Sequence, residues 1–539
     1  MKTRMPRASA ADQRRRSSLR RSLAAALLLP ALAGGFALQA LGGRPGEQMF
    51  HEVISALSAR GIDSISDAQL YEKAARGLLV QIGDPYAELF SPEQLAQFSR
   101  ETLRNSYGGV GMQITSVRDT ALVTRVFEGS PAARGGVRPG DRVIGAAGEN
   151  VTGQPVDQVT RRLLGEPGTT VAVDYHRPGV GTIHHEFTRE RIRYPSVAYA
   201  VMLEAGIGYV PLEGFNDSSG EEVLRALVSL RKSGAHAFVL DLRGNGGGSL
   251  EQAIRISDLF LQPGQSILRA EFRNSPTENV LARTEPVVPD APLVVLTDEN
   301  AASASEIVAG ALQDHDRAVI IGETTFGKGL VQDIFRLEGG WALKLTTGRW
   351  YTPSGRTIQR PRRMTPEGRL VEIPTDSVAD RPVFRSDAGR VVYGGGGITP
   401  DLHVDADTLA GAERALAVVL GARASEFNAA VQEMAVDRAP GLGEGFRATP
   451  EWRADLYRRL EKRGVKVPLP AWNAGAPLID RVIEDRVSGY AFGDAAAFRR
   501  GIARDAQLQA ALRVLRGAAT QTEALSRVPT GAPAQPTGA

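Results

Sequence analysis

The sequence contains no cysteine, so disulfides, thiol catalysis and cysteine-bound metal are all excluded. Histidine is scarce as well, with seven scattered through 539 residues. The adjacent pair His184 and His185 would point to opposite faces of a strand, which suits neither a metal pair nor a catalytic base. The expectation is therefore a chain with no metal and no cofactor. Concentrated positive charge is missing from most of the chain too. The net charge is +3, but residues 1 to 21 hold eight Lys or Arg against one acid, Asp12, and the remainder carries −4. Phosphate binding needs a concentrated basic face, so nucleic acid is set aside as a partner.

Long uncharged apolar stretches are equally rare, and the one that stands out is placed with purpose. The basic start is followed by Ser22 to Gly43, rich in Leu and Ala, which is the pattern of an export signal. Pro30, Gly34 and Gly35 interrupt the run. A cleavage site ending at Ala40 would carry Leu38 where a smaller residue is usual, so residues 1–45 read as a signal peptide or as an uncleaved inner-membrane anchor. Arg20 and Arg21 before Ser22 fit a twin-arginine signal. The expected location is exported, in the periplasm or cell envelope.

At 539 residues the chain is too long for one core. Its patterning predicts a mixed α/β protein: a helical region over 46–105, a β-rich module over 106–193, a βαβ-type core over 194–404 and a helical domain over 405–517. Residues 518–539 are too rich in Pro, Thr and Gly to suggest a buried core. Five or six strands with one or two short helices are expected in the module. In the core, three apolar runs, Ala237 to Leu240, Leu293 to Leu296 and Ala318 to Ile321, are separated by helical spacing, which predicts parallel strands. Active crevices of such layouts lie at the carboxyl ends of the strands. Three loops should therefore meet there: Asp241 to Gly248, the helix opening at Ser303, and Thr325 to Gly329.

These loops hold what acyl transfer needs, namely a nucleophile, a base and donors for an oxyanion. Ser303, flanked by Ala301, Ala302 and Ala304, stands at a helix N-terminus with free N–H groups. Lys328, between two glycines, acts as a base only if desolvation lowers its pKa. Gln332 is placed to orient the lysine amine. Gly246 to Gly248 let backbone N–H groups approach an oxyanion without a Cβ in the way. Each piece also has a purely structural account: Ser303 to Glu306 matches a helix capping box, Lys328 a turn lysine, and the glycines a strand-to-helix joint. A competing motif exists as well. Gly322 to Lys328 fits G-x-x-x-x-G-K, the start of a phosphate-binding loop, but position 329 is Gly where Ser or Thr must hold Mg²⁺, and the following residues look like a strand.

The chain resembles the carboxyl-terminal processing peptidases, or tail-specific proteases. The resemblance runs from about Glu47 to Val404 and is carried by Asp84-Pro85, the glycine loop, Ala301 to Glu306, Thr325 to Gln332, Leu345 to Ile358 and Gly396 to Asp401. It implies that 106–193 is a PDZ domain and 194–404 a protease core. It also implies a nucleophile at Ser303, a general base at Lys328, an orienting amide at Gln332, oxyanion donors on the backbone of Gly247 and Ala304, and a supporting carboxylate at Asp314. The PDZ domain would add a substrate tail to a sheet edge and capture its carboxylate around Gly109, Val110 and Gly111, and in the family this module can gate the protease. The loop departs from many relatives, with Gly244, Asn245 and Gly246 where a second Asn and a Pro are common. The expected partners are proteins or peptides with free C-terminal tails, with an adaptor or a second copy engaging the C-terminal helical domain. The contrasting expectation is a catalytically silent PDZ-containing binding protein.

Overall fold

A computed structural model of the chain describes residues 45–99, 106–117, 120–177, 179–365, 370–373, 381–406, 409 and 411–528. The expected signal or anchor, apart from residue 45, and the extreme C-terminus lie outside the described residues. Among the described residues no helix is long and apolar enough to cross a membrane.

The chain divides into two units, up to Gly83 and from Asp84 onward. The first holds two helices, Pro45–Arg60 (α1) and Asp67–Ile82 (α2). Ser66 starts α2 with a capping box completed by Gln69, and Gly83 at φ +74° ends it, so local chemistry accounts for both boundaries. The predicted helical region was drawn to residue 105, but from Asp84 onward it belongs to the other unit. Strand Glu88–Phe90 (β1) pairs with a strand of the second sheet described below, and helix Pro92–Phe98 (α3) follows it.

Among the described residues of 106–193 there are eight strands and two short helices, more strands than the five or six expected. They are Ser106–Gly109 (β2), Met112–Val117 (β3), Thr120–Val126 (β4), helix Pro131–Arg134 (α4), Arg142–Ala146 (β5), Glu149–Asn150 (β6), helix Val156–Leu163 (α5), Thr170–Arg177 (β7), Gly181–Thr188 (β8) and Glu190–Arg193 (β9). Runs of two to four residues are too short to show alternation, which is why the reading undercounted. The sheet order is β3-β4-β5-β7-β8 with β6 on β5, while β2 pairs with β9, so β3 is an edge strand.

The core sheet begins with Val201–Met202 (β10) and Ile207–Pro211 (β11). It continues through helix Ser219–Lys232 (α6), Ala237–Asp241 (β12), helix Leu250–Asp258 (α7), Leu293–Thr297 (β15), helix Ala304–Asp314 (α8), Val319–Gly322 (β16) and Leu402–His403 (β23). Strands β12, β15 and β16 run parallel, as predicted, and β11 and β23, which were not foreseen, extend the parallel set at either side. Alternation sorts their side chains. Phe238, Leu240, Leu293, Val295 and Ile320 face one core with α6 to α8, whereas Val239, Val294, Leu296, Val319 and Ile321 face another. A second sheet is built from β1, Ser266–Phe272 (β13), Glu278–Leu281 (β14), Leu330–Arg336 (β17) and Ala342–Tyr351 (β18), and two hairpins, Arg362–Met364 (β19) with Leu370–Glu372 (β20) and Val383–Arg385 (β21) with Val391–Tyr393 (β22), follow it.

The C-terminal region does not end where predicted. Gly411–Gly421 (α9), Ala424–Arg438 (α10), Pro450–Lys462 (α11), Leu469–Ala474 (α12) and Ala476–Phe492 (α13) share a core of their own, and α10 packs beside β3 of the module. Asp494–Gly501 (α14), Ala506–Leu515 (α15) and Gln521–Ser526 (α16) instead lie with the parallel core sheet. Leu508, Leu512, Leu515, Ala518, Ala524 and Val528 are buried against its second face. Residues 518–528, expected to be a coreless tail, are thus part of the core, because that face is apolar and needs a cover.

Candidate active site

The carboxyl ends of β12, β15 and β16 bring the three predicted loops together. Ser303 is held at φ +56° and ψ −110°, a conformation a non-glycine residue rarely adopts, and one that costs about 1–3 kcal/mol. Its surroundings enforce it. Ala301 and Ala304 are fully buried, Ala302 N–H donates to Asn245 O at 3.0 Å, Phe326 N–H donates to Ala301 O at 3.0 Å, and Ser303 N–H donates to Glu306 Oε2 at 2.8 Å. The half of the capping box that Glu306 supplies is therefore present, yet the same carboxylate does more.

Glu306 is wholly buried and accepts from four donors. Besides Ser303 N–H these are Thr325 Oγ1–H at 2.6 Å, Gly327 N–H at 2.6 Å and Lys328 N–H at 2.8 Å. Burial raises its pKa, and the four hydrogen bonds offset that rise only in part. Thr325 Oγ1 already accepts from Ile398 N–H, so every group facing Glu306 is a donor and only the carboxylate form satisfies them all. One side chain thus joins the helix that begins at Ser303 to the loop that presents Lys328.

The Lys328 amine donates to Gln332 Oε1 at 2.8 Å and lies 5.2 Å from the centre of the Tyr86 ring. Gln332 Nε2 in turn donates to Tyr86 O at 3.2 Å. Burial lowers the Lys328 pKa, Lys344 lowers it further, and Glu306 and Asp84 oppose the shift. Gly327, at φ +88°, permits the turn before Lys328, and a Cβ there would come within 2.7 Å of Arg360 Cβ. No hydrogen bond joins the Ser303 hydroxyl to the Lys328 amine among the described residues. The two groups line one crevice of about 1040 Å³ with Gly247, Ile307, Val331 and Trp350. The phosphate-loop alternative does not survive. Strand β17 follows Lys328 where a helix is required, and the N–H groups of Gly327 and Lys328 are spent on Glu306.

The glycine loop closes against Ser303. Gly247, at φ +97°, sits so near that a Cβ would meet Ala302 O at 2.7 Å and Ser303 Cβ at 2.9 Å. Its N–H, however, donates to Asn245 Oδ1 at 2.9 Å, so the donor expected at Gly247 is engaged in this arrangement. Ala304 N–H, at the first position of α8, has no partner among the described residues, as expected of an orphan first-turn donor.

Comparison with known proteins now gives this arrangement its relatives. Residues 206–367 match the model of peptidase family S41, and residues 122–177 match that of the PDZ domain. A carboxy-terminal-processing protease of Bartonella bacilliformis is 33% identical over 315 residues, covering 58% of this chain and 72% of that protein. The chain belongs to the carboxy-terminal processing protease family. Carboxy-terminal processing protease CtpA of Bacillus subtilis is 36% identical over 294 residues, covering 54% of this chain, and the chain spans only 62% of that protein's length. A solved structure titled photosystem II D1 C-terminal processing protease is 27% identical over 67% of this chain and 94% of its own, at a TM-score of 0.35. At that score the likeness carries no weight.

Within this family member, the other expected residues fall in two places. Asp314, at the far end of α8, does not touch the Lys328 amine. It accepts from Ser354 N–H at 2.9 Å and pairs with the fully buried Arg356 at 2.7 Å. Its support reaches the lysine loop through the segment that follows Arg356, where Gln359 Oε1 accepts from Gly329 N–H at 2.9 Å and Arg360 N–H donates to Gly327 O at 3.0 Å. Gly109, Val110 and Gly111 lead into edge strand β3. Val110 O accepts from Ala132 N–H and Gly111 O from Phe127 N–H, while the N–H groups of Val110 and Gly111 have no partner among the described residues. Sequence reading missed the clamp role of Glu306 and the platform of Tyr86. The first had a visible signal in the capping box and the second in the Asp84-Pro85 motif beside it, but neither signal says what lies across the fold.

Proposed function

We propose that this chain is an exported serine endopeptidase acting through an acyl-enzyme, with Ser303 as nucleophile, Lys328 as general base and Gln332 as the residue that orients the lysine. The observation that carries the reading is a desolvated lysine amine fixed by an amide in the crevice where Ser303 is held in a strained conformation. In its neutral form, Lys328 takes the Ser303 Oγ proton as Oγ attacks the substrate carbonyl. The tetrahedral oxyanion accepts from Ala304 N–H and from Gly247 N–H, which must first leave Asn245. The lysine ammonium then gives its proton to the departing amine. Water repeats the sequence on the acyl-enzyme, with Lys328 again the base.

The unpartnered N–H groups at Val110 and Gly111, beside an edge strand, support capture of a substrate's terminal carboxylate by the PDZ domain and addition of its tail to β3. A crevice of about 1450 Å³ lies along that strand, with Gln113 and Thr115 on one wall and Gln432, Arg486 and Tyr490 of the C-terminal helices on the other. The basic and then apolar pattern of residues 1–43 supports export to the periplasm or cell envelope. The test is degradation of an unstructured protein bearing an apolar C-terminal tail by the full chain, Ser303→Ala and Lys328→Ala. Cleavage by the unaltered chain alone is the expected result. Equal cleavage by all three overturns the residue assignment, and tail binding without cleavage by any of them points to a binding protein.

A further inference from the structure

The glycine loop is anchored at its start by Arg243, and the anchor reaches outside the part of the chain that matches the peptidase family model. Arg243 forks onto Asp241, with Nη2 to Oδ2 at 2.6 Å and Nε to Oδ1 at 3.0 Å. Its other edge forks onto Asp505, with Nη1 to Oδ1 at 2.9 Å and Nη2 to Oδ2 at 2.8 Å. Gln507 Oε1 accepts from Nη1 as well, at 3.0 Å. Asp241 is fixed in turn by the Tyr209 hydroxyl, which donates to Oδ2 at 2.6 Å. From Arg243 the chain runs straight into the loop that touches Ser303. Gly244 N–H donates to Asp298 Oδ1 at 2.9 Å, and Asn245 O accepts from Ala302 N–H at 3.0 Å and Ser305 Oγ at 2.8 Å.

We propose that Asp505 is a positioning residue for the reaction: by fixing Arg243 from the C-terminal helices, it sets where the glycine loop presents its N–H groups beside Ser303. The inference rests on the reading of that loop as an oxyanion donor. Holding α15 on the sheet does not require this ion pair, because Leu508, Leu512 and Leu515 are fully buried there already. With Arg243 and Asp505 21% and 23% exposed, a part-buried fork of this kind adds little net stability, so its physical value is geometric. The two duties of Asp505 share Oδ1, which accepts from Arg243 Nη1 as well, but substitution can separate them. Its Oδ1 caps α15 by accepting from Leu508 N–H at 2.9 Å, a duty that Asn and Ser perform as well as Asp.

Asp505→Asn and Asp505→Ser in the full chain therefore keep the cap; the first neutralises the fork and the second withdraws it. Cleavage of the tailed substrate should lose about 10- to 100-fold in kcat with KM within about twofold, since misplacing a group by an ångström has that scale of effect. The rate at which a fluorophosphonate labels Ser303 should fall in parallel. Asp505→Glu should recover part of the rate. Arg243→Lys, which keeps the charge and loses the double fork, should match Asp505→Ser and covers the case in which an Asp505 variant fails to fold. Unchanged kcat and labelling in folded Asp505→Ser and Arg243→Lys, with the unaltered chain active and Ser303→Ala inactive, overturns this inference alone. An inactive or Ser303-independent unaltered chain overturns the reading beneath it.

Discussion

The two ends of α8 carry one buried carboxylate each, and they do different work. At the N-terminal end Glu306 meets four hydrogen-bond donors and, among the described residues, forms no ion pair, and three of those donors are backbone N–H groups of the segments that present Ser303 and Lys328. At the C-terminal end Asp314 meets a guanidinium, Arg356, that is itself fully buried. A carboxylate facing amides fixes the backbone in place and is worth most where backbone position is chemistry. A carboxylate facing a buried arginine removes the cost of burying a charge and is worth most to the fold. Eight residues along the helix, about 12 Å, separate assembling the site from stabilising its support.

The comparison breaks most readily at Asp314. Asp314→Ala leaves Arg356 buried without its ion pair, and urea denaturation should show a loss of about 3–5 kcal/mol. The kcat of the remaining folded protein should fall far less than in Glu306 variants; a selective kcat loss at full stability would move Asp314 into the site. Glu306→Gln is the counterpart. Its amide offers one acceptor and turns a second donor group toward N–H groups, so kcat should fall about 10²- to 10³-fold, the scale seen when an oxyanion donor is lost. Retention of more than a tenth of the activity would reduce Glu306 to an ordinary cap.

Lys328 extends the contrast to pH. Its pKa is lowered in the folded chain, so the folded state releases the proton below the ordinary value of about 10.4. Cleavage should rise with pH through that lowered value. Stability should rise too between the lowered value and the ordinary one, because there the unfolded chain binds the extra proton. Lys328→Met should therefore be inactive yet more stable at neutral pH, by about 1–2 kcal/mol, with the gain shrinking as pH rises. A less stable Lys328→Met at neutral pH would show that the site does not pay to bury the amine.

What could be read from the sequence follows the same division. Parallel strands β12, β15 and β16 were legible because both faces of each are apolar, and the meeting of three loops at their carboxyl ends follows from topology. The capping pattern from Ser303 to Glu306 was legible as local chemistry, but a helix cap uses one oxygen of Glu306, and nothing in the spacing shows that Thr325, Gly327 and Lys328 use the carboxylate as well. The cover of the second sheet face was illegible for the opposite reason. Helix α15 is ordinary amphipathic helix and α16 a short helix after a turn, and only the apolar face formed by the strands of the core sheet says where residues 506–528 go. The engaged Gly247 N–H was likewise invisible, since Asn245 reads as a turn residue until its Oδ1 is seen on the loop's own backbone.

The smallest effect concerns the platform under the lysine. The Tyr86 hydroxyl is buried with no partner among the described residues, a situation that costs about 1–3 kcal/mol when nothing satisfies it. Its ring, 5.2 Å from the Lys328 amine, favours the charged amine, and its carbonyl holds Gln332. Tyr86→Phe keeps the ring and the carbonyl and deletes only the orphaned group, so it should leave the pH midpoint of cleavage in place and raise stability by up to about 1 kcal/mol. Tyr86→Leu keeps the carbonyl and deletes the ring, so the midpoint should move to lower pH, by a few tenths of a unit for an attraction of about 0.5–1 kcal/mol. If Tyr86→Phe instead destabilises the chain, the hydroxyl has a partner such as an ordered water, and the platform is polar as well as aromatic. If Tyr86→Leu leaves the midpoint unmoved, burial and Lys344 alone set the lysine, and the aromatic face serves only to fill space beneath it.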